Sequence, residues 1–163
     1  EFSPPRLYSL HMEKIRTIAT NRRASRDYEI SERFEAGIAL EGSEVKSIRQ
    51  GMVNIKDSFA RVRAGEVFVF NMHISPYSHA DRRFIDPERT RKLLMRKREI
   101  SYLFGKTREK GLTLIPLKVY IRGRYVKLEL GLARGKKVYD KRDDVKTREA
   151  RREIDRAMKK KLK

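Results

Sequence analysis

Residues 112–133, LTLIPLKVYIRGRYVKLELGLA, contain the pattern that decides the fold class. After Gly123 apolar side chains alternate with others, the apolar members being Val126, Leu128, Leu130 and Leu132 and the others Tyr125, Lys127 and Glu129. This period of two predicts a strand that packs one face and turns the other toward solvent or a ligand. The turn at Arg122-Gly123 between two such runs predicts a hairpin, so these strands are expected to be antiparallel.

Three earlier runs show the same period, namely Phe34–Glu41, Val53–Arg63 and Glu66–Ile74. Ala64-Gly65 supplies a short hairpin connection between the last two of them. Five or six short strands joined by such turns indicate a small barrel or sandwich.

Two segments interrupt this β pattern with helix signals. Residues 41–50 (EGSEVKSIRQ) end at Gly51 and predict a short helix with Ser43 as its N-cap. Asp86-Pro87-Glu88 predicts the start of a basic helix that runs, in one piece or two, to Gly105, because aspartate caps and proline suits the first helical position. The expected fold is therefore mainly β, an OB-like antiparallel β-barrel with two or three helices, which is often used to bind RNA.

Three regions differ in composition along the chain. Residues 1–11 (EFSPPRLYSLH) read like a vector-derived or unstructured segment, and residues 12–133 hold the barrel. Residues 134–163, the basic tail, contain 14 Lys or Arg against six Asp or Glu, which gives +8. The tail contains few apolar residues, and burying them does not offset the entropy lost when the backbone becomes ordered. We therefore expect the basic tail to be disordered alone and to become helical against a polyanion.

The charge of the whole chain indicates an anionic partner. Its 163 residues carry 41 Lys and Arg against 22 Asp and Glu, a formal net charge of +19. Nucleic acid is the commonest polyanion. The absence of cysteine excludes disulfides, thiolate metal sites and cysteine nucleophiles. No apolar run approaches the roughly 18 residues that a membrane span requires.

The sequence offers little material for catalysis. His73 and His79 would supply an acid and a base for RNA cleavage beside Arg82 and Arg83, and this nuclease hypothesis stays open as an alternative. The acidic residues of the basic tail lack the glycine and closing glutamate of a calcium loop, and no phosphate-binding loop precedes a helix. We therefore expect no catalytic residue, metal or cofactor, and a binding function. A nonspecific OB-type RNA chaperone or ribosomal protein is a second alternative.

Several uncommon blocks resemble the bacterial SsrA-binding protein family, small protein B, in consistent order. They are Ile18–Ala24 (IATNRRA), Phe34–Ile38 (FEAGI), Gly42–Arg49 (GSEVKSIR), Asn54–Ser58 (NIKDS), Arg89–Leu94 (RTRKLL), and Gly135-Lys136-Lys137 with Asp140-Lys141-Arg142. The resemblance implies an adaptor that binds the tRNA-like domain of transfer-messenger RNA and brings it to stalled ribosomes, and not an enzyme. It further implies a cytoplasmic, monomeric protein whose tail folds in the messenger channel near the decoding centre of the small subunit.

Site residues follow from the resemblance and from charge. By position the resemblance implies RNA contacts at Glu35, Leu94 and Arg96, the last standing where many relatives have asparagine. Glu35 is alternatively a strand carboxylate that orients an arginine, and Leu94 alternatively faces the core. Electrostatics adds further RNA-binding candidates, namely Lys46, Arg49 and Lys92.

In the basic tail the resemblance implies ribosome contacts. The candidates are Gly135, Lys136, Lys137, Tyr139, Asp140, Lys141, Arg142, Met158 and Lys159. Tyr139 stands where a histidine often occurs, and a tyrosine ring stacks on a base. Ala157-Met158-Lys159 stands where the family has Ile-Met-Lys, so the apolar contact there is expected to be weaker.

Overall fold

The computed structural model describes residues 14–77, 86–109, 111–136 and 138–161. The strands of this part are β1 (Ile15–Thr20), β2 (Tyr28–Ile38), β3 (Val53–Asn54), β4 (Phe59–Arg63), β5 (Glu66–Phe70), β6 (His73–Ile74), β7 (Arg91–Leu94), β8 (Leu112–Arg122) and β9 (Tyr125–Gly135). The helices are α1 (Ala24–Asp27), α2 (Gly42–Arg49), α3 (Lys97–Thr107) and α4 (Val138–Lys161).

Six antiparallel strands form a closed ring. The hydrogen-bonded order is β8-β4-β5-β7-β2-β9, and pairing of β9 with β8 closes it, while β1 pairs along the second half of β8. β3 and β6 form a separate two-stranded ladder. The expected mainly β, OB-like antiparallel barrel is confirmed.

The barrel interior is filled by the inward residues of the alternating strands. Val126, Leu128, Leu130 and Leu132 of β9 are all buried, as their spacing predicts. Across the ring they meet Val67 and Val69 of β5 and Leu93 of β7 in one apolar cluster. Because each strand buries one face here, a register slip of one residue would expose this set, and the outward residues are fixed by the same constraint.

Two local predictions were wrong. The helix expected from Asp86 to Gly105 is a turn at Asp86, the strand β7, and then a helix that begins only at Lys97. α2 begins at Gly42 with Glu41 as its N-cap, and not at Ser43. The Glu41 backbone N–H donates to Oε2 of Glu44 at 2.8 Å, so a carboxylate three residues on satisfies this end of the helix. The sequence analysis also missed β1.

A buried ion pair explains why the chain around Arg91 is a strand. Arg91 is fully buried, and its Nε donates to Oε1 of Glu44 on α2 at 2.8 Å. Its two Nη atoms donate to the backbone oxygens of Met72, at 2.6 Å, and Pro87, at 3.0 Å. Arg89 adds a bond to the second oxygen of Glu44 at 2.6 Å. These bonds tie β7 and the turn before it to α2.

Two opposed effects act on the pKa of Glu44. Burial raises it, but hydrogen bonds from Arg89, the Glu41 backbone and Arg91 outweigh burial and hold the pKa below its ordinary value of 4.5. The charged Glu44 carboxylate therefore stabilises the folded state fully at a pH above its ordinary pKa, and this stabilisation is lost as the pH falls through the lowered pKa.

The basic tail is helical over most of its described length. α4 spans Val138–Lys161, and the exposed side chains along it include Val145, Ile154 and Met158. That this segment stays unstructured until it meets a polyanion remains a prediction. Residues 1–11 lie outside the described residues. None of the described helices is long and apolar enough to cross a membrane.

Glu44→Ala is expected to lower the free energy of unfolding by about 3–5 kcal/mol, because it leaves the buried Arg91 guanidinium without its counter-charge. Urea denaturation followed by circular dichroism measures this loss. The matched control is Glu66→Ala, which removes an exposed partner of Lys92 and should cost at most about 1 kcal/mol. Equal losses in the two variants would show that the buried pair does not anchor β7.

Candidate nucleic-acid interface

Four of the six RNA-binding candidates in the barrel lie together in one cleft. This β7 cleft has a volume of about 730 Å³ and contains Glu35, Lys92, Leu94 and Arg96. Its wall is built from β2, the turn between β4 and β5, β7, the start of α3 and the outward face of β9. Its other lining residues are Gly37, Gly65, Glu66, Leu93, Met95, Lys97, Glu99, Ile100 and Lys127. Residues that are remote in sequence thus form one surface.

The alternation of β7 decides what the cleft presents. Because Arg91 and Leu93 point inward, Lys92 and Leu94 point outward. Leu94 is 54% exposed, so the alternative in which it faces the core is wrong. Gly37 lies opposite Leu94 on β2, and a Cβ at that glycine would come within 3.3 Å of the Leu94 Cβ. The glycine therefore leaves room for this apolar side chain.

Glu35 organises a polar cluster at one side of the β7 cleft. Its carboxylate accepts a hydrogen bond from the Tyr120 hydroxyl and lies 2.9 Å from Nη1 of Arg122 and 3.6 Å from Nζ of Lys127. This geometry agrees with the reading of Glu35 as a strand carboxylate that orients an arginine. A carboxylate held in this way fixes two cations and a phenol at the edge of the cleft.

The cluster shifts the protonation equilibria of both acids in it. The Tyr120 hydrogen bond, followed by the charges of Arg122 and Lys127, outweighs burial and holds the pKa of Glu35 below its ordinary value of 4.5. Burial, together with the hydrogen bond to Glu35, raises the pKa of Tyr120 to about 12. At neutral pH the carboxylate is charged and the phenol is a neutral donor.

The cations of the β7 cleft differ in how they are paired. The Lys92 side chain forms an ion pair with Glu66. The Glu99 carboxylate accepts a hydrogen bond from the backbone N–H of Arg96 at 3.1 Å, and not from its guanidinium group. Among the described residues no carboxylate lies within ion-pair distance of the side chains of Arg96 or Lys97. These two side chains are the groups best placed to receive phosphates.

The structure does not bring Lys46 and Arg49 to the β7 cleft. Both are exposed on α2, and the ammonium group of Lys46 lies 5.3 Å from the centroid of the Tyr77 ring. Their assignment as RNA-binding residues rests on charge alone and stays a prediction.

The sequence analysis missed three residues, one that lines the cleft and two that belong to the polar cluster around Glu35. Lys127 lies on the outward face that the β9 alternation predicts, and it is paired with Gly37, two residues from Glu35. Tyr120 and Arg122 reach the same carboxylate from β8. Local periodicity identifies the outward faces, but only the pairing of β2 with β9 and of β9 with β8 places them together.

The first residues of the basic tail are held against α1. Gly135 ends β9. The backbone N–H of Lys136 donates to the backbone oxygen of Asp27 at 3.0 Å, and its Nζ donates to the backbone oxygen of Ser25 at 3.2 Å. Lys137 lies outside the described residues. The remaining tail candidates all lie on α4, namely Tyr139, Asp140, Lys141, Arg142, Met158 and Lys159.

The two histidines of the nuclease hypothesis are not both described. His73 is half-buried in β6, paired with Asn54 of β3, and His79 lies outside the described residues. Among the described residues no group of three or more His, Asp or Glu side chains is arranged to hold a metal ion.

Comparisons with a family model, with named proteins and with a solved structure all find similarity to the same kind of protein. A family model described as "SmpB protein" matches residues 18–160. An SsrA-binding protein from Carboxydothermus hydrogenoformans is 63% identical over 147 residues, covering 90% of this chain and 97% of that protein. One from Geobacillus kaustophilus is 57% identical over 148 residues, covering 91% and 96%. A chain of a solved structure, "tmRNA-SmpB: a journey to the center of the bacterial ribosome", is 54% identical with a TM-score of 0.63, covering 74% of this chain and 85% of that chain.

Tyr120→Phe is expected to raise the pKa of Glu35 toward 4.5, because the variant removes the hydrogen bond that lowers this pKa most. Titration of the Glu35 side-chain carboxyl carbon by NMR measures the change. Tyr125→Phe is the matched control, since Tyr125 is 62% exposed at the β8–β9 turn and has no role in the cluster. An unchanged Glu35 pKa in the Tyr120 variant would show that the phenol does not hold the carboxylate.

Proposed function

The chain belongs to the SmpB family, and from this premise we propose that it binds transfer-messenger RNA and carries it to the ribosome in trans-translation. The observation that carries the proposal is the family match over residues 18–160. It is supported by relatives named as SsrA-binding proteins that match nearly their full lengths, and by a structural neighbour from a tmRNA–SmpB study of the ribosome. The chain acts as an RNA-binding adaptor.

Within that function, the β7 cleft is the part of the barrel that binds the tRNA-like domain. The cleft offers an exposed leucine between cationic side chains, a combination that contacts a sugar or base and the adjacent phosphates together. Arg96 and Lys97 supply donors that no described carboxylate engages. Glu35 acts mainly through Arg122 and Lys127, which it holds toward the RNA.

The basic tail has a separate role at the ribosome. Its excess of eight positive charges over 30 residues suits the messenger channel near the decoding centre of the small subunit, which ribosomal RNA phosphates line. The anchoring of Lys136 against α1 supports this division, because it fixes where the tail leaves the barrel. The protein works as a monomer in the cytoplasm in this scheme.

The proposed action is binding and not catalysis. The half-buried position of His73 in a two-residue strand leaves it poorly placed for proton transfer at a phosphate. RNA cleavage by the purified protein that disappears in His73→Ala would favour the nuclease alternative instead.

Leu94→Ala and Arg96→Gln are each expected to weaken binding of the tRNA-like domain by roughly tenfold, because each removes one direct contact worth about 1.4 kcal/mol. A gel-shift titration measures this, with an ordinary alanine tRNA and a random RNA of equal length as competitors. Arg16→Gln is the control, an exposed arginine on β1 that does not line the cleft. Equal affinity of the unmodified protein for random RNA would favour the RNA-chaperone alternative.

Truncation after Lys136 is expected to leave most of the affinity for the tRNA-like domain and to abolish peptide tagging on stalled ribosomes. The cut keeps the whole of β9, which ends at Gly135. A reconstituted translation assay with a message lacking a stop codon measures tagging, and the gel shift measures binding. Loss of both properties together would contradict the division of labour between barrel and tail.

A further inference from the structure

We propose that the outward face of the β4–β5 hairpin is a second RNA contact, which stacks unpaired bases and binds their phosphates. Its five side chains, here called the Phe–Arg strip, are Phe59, Arg61, Arg63, Phe68 and Phe70. The inference rests on the RNA-binding function proposed above, but none of these five side chains lines the β7 cleft.

Three phenylalanines on an outward face need an explanation. Ala60, Val67 and Val69 fill the barrel interior, so the alternating residues Phe59, Phe68 and Phe70 point outward and remain only partly buried. Solvent-facing strands usually carry polar residues at such positions. A row of aromatic rings there is typical of a surface that another molecule covers.

Two of the phenylalanine rings stack on each other, and each of them also contacts an arginine guanidinium group. Phe59 and Phe70 are cross-strand neighbours whose ring centroids lie 5.2 Å apart with planes tilted by 14°. The Arg61 Cζ lies 5.0 Å from the Phe59 centroid, and the Arg63 Cζ lies 4.9 Å from the Phe70 centroid. A guanidinium group that lies on a ring keeps its N–H donors at its rim, where they reach phosphates, while its flat face accepts a base.

Charge selects RNA as the occupant. In the part of the chain that the structure describes, neither Arg61 nor Arg63 lies within ion-pair distance of a carboxylate. Planar faces beside unneutralised arginines match an unpaired base beside its phosphates better than an apolar protein surface. The net charge of +19 adds long-range attraction for the same ligand.

The Phe–Arg strip is also continuous with the β7 cleft. Phe68 is paired with Arg61 on one side and with Lys92 of β7 on the other, so one row of outward side chains runs from the strip into the cleft. At the far side, Phe59 and Arg61 line a second cleft of about 450 Å³ that contains Lys56. An RNA held in the β7 cleft therefore has an unbroken path along the strip for its unpaired nucleotides.

The test uses the full chain with oligoadenylate and oligouridylate of equal length, and fluorescence anisotropy as the readout. Because purines stack more strongly, the unmodified protein should prefer oligoadenylate. The double variant Arg61→Gln, Arg63→Gln should weaken oligoadenylate binding by roughly tenfold and reduce this preference. The matched control is the double variant Arg16→Gln, Arg108→Gln, which removes the same two charges. The Arg108 guanidinium group lies 5.3 Å from the Phe104 centroid and Arg16 is exposed on β1, and this control should change the affinity by no more than about twofold.

The Arg61→Gln, Arg63→Gln variant changes only exposed side chains, so folding is expected to be preserved, and circular dichroism checks this. An unchanged preference in this variant, or an equal loss in the Arg16→Gln, Arg108→Gln control, would overturn the proposal. Normal oligonucleotide binding with lost co-sedimentation on ribosomes would instead assign the strip to a ribosomal protein. Failure of the unmodified protein to prefer the tRNA-like domain over ordinary tRNA defeats the proposed function and leaves the oligonucleotide result standing.

Discussion

The guanidinium group of Arg91 lies inside the protein with no exposure to solvent, and a charge in that position must be neutralised. Glu44 neutralises it from α2, and backbone oxygens of Met72 and Pro87 accept its remaining bonds. Because successive strand residues face opposite sides, fixing Arg91 inward also fixes Leu93 inward and Lys92 and Leu94 outward. The surface that we propose as the RNA contact therefore depends on a buried ion pair behind it.

A second constraint concerns how carboxylates are used near the β7 cleft. Glu35 holds Tyr120, Arg122 and Lys127, and Glu66 holds Lys92. Carboxylates placed in this way reduce the freedom of the flexible cations beside them, and this is the positioning role that we propose for them in RNA binding. In the proposed function Arg96 and Lys97, which have no carboxylate within ion-pair distance among the described residues, meet phosphates without losing an existing partner.

The strands with clear alternation were predictable from the sequence because their period follows from local chemistry. The face of β9 that carries Leu128 and Leu130 is an example. β7 was not predictable in this way, since the local signal at Asp86-Pro87 favours a helix and the partner of Arg91 lies 47 residues away. For the site, Glu35, Leu94 and Arg96 followed from the resemblance, whereas the contribution of Lys127 required the pairing of β2 with β9.

The most direct measurement is an NMR titration of the isotope-labelled full chain with the tRNA-like domain, in which shifts of the backbone amide signals map the contact. We expect the largest changes at Gly37, Leu94, Arg96 and Lys127, around the rim of the β7 cleft. Changes confined to α2 and α4, with the amide signals of β7 and the start of α3 unmoved, would contradict the assignment of RNA binding to this cleft.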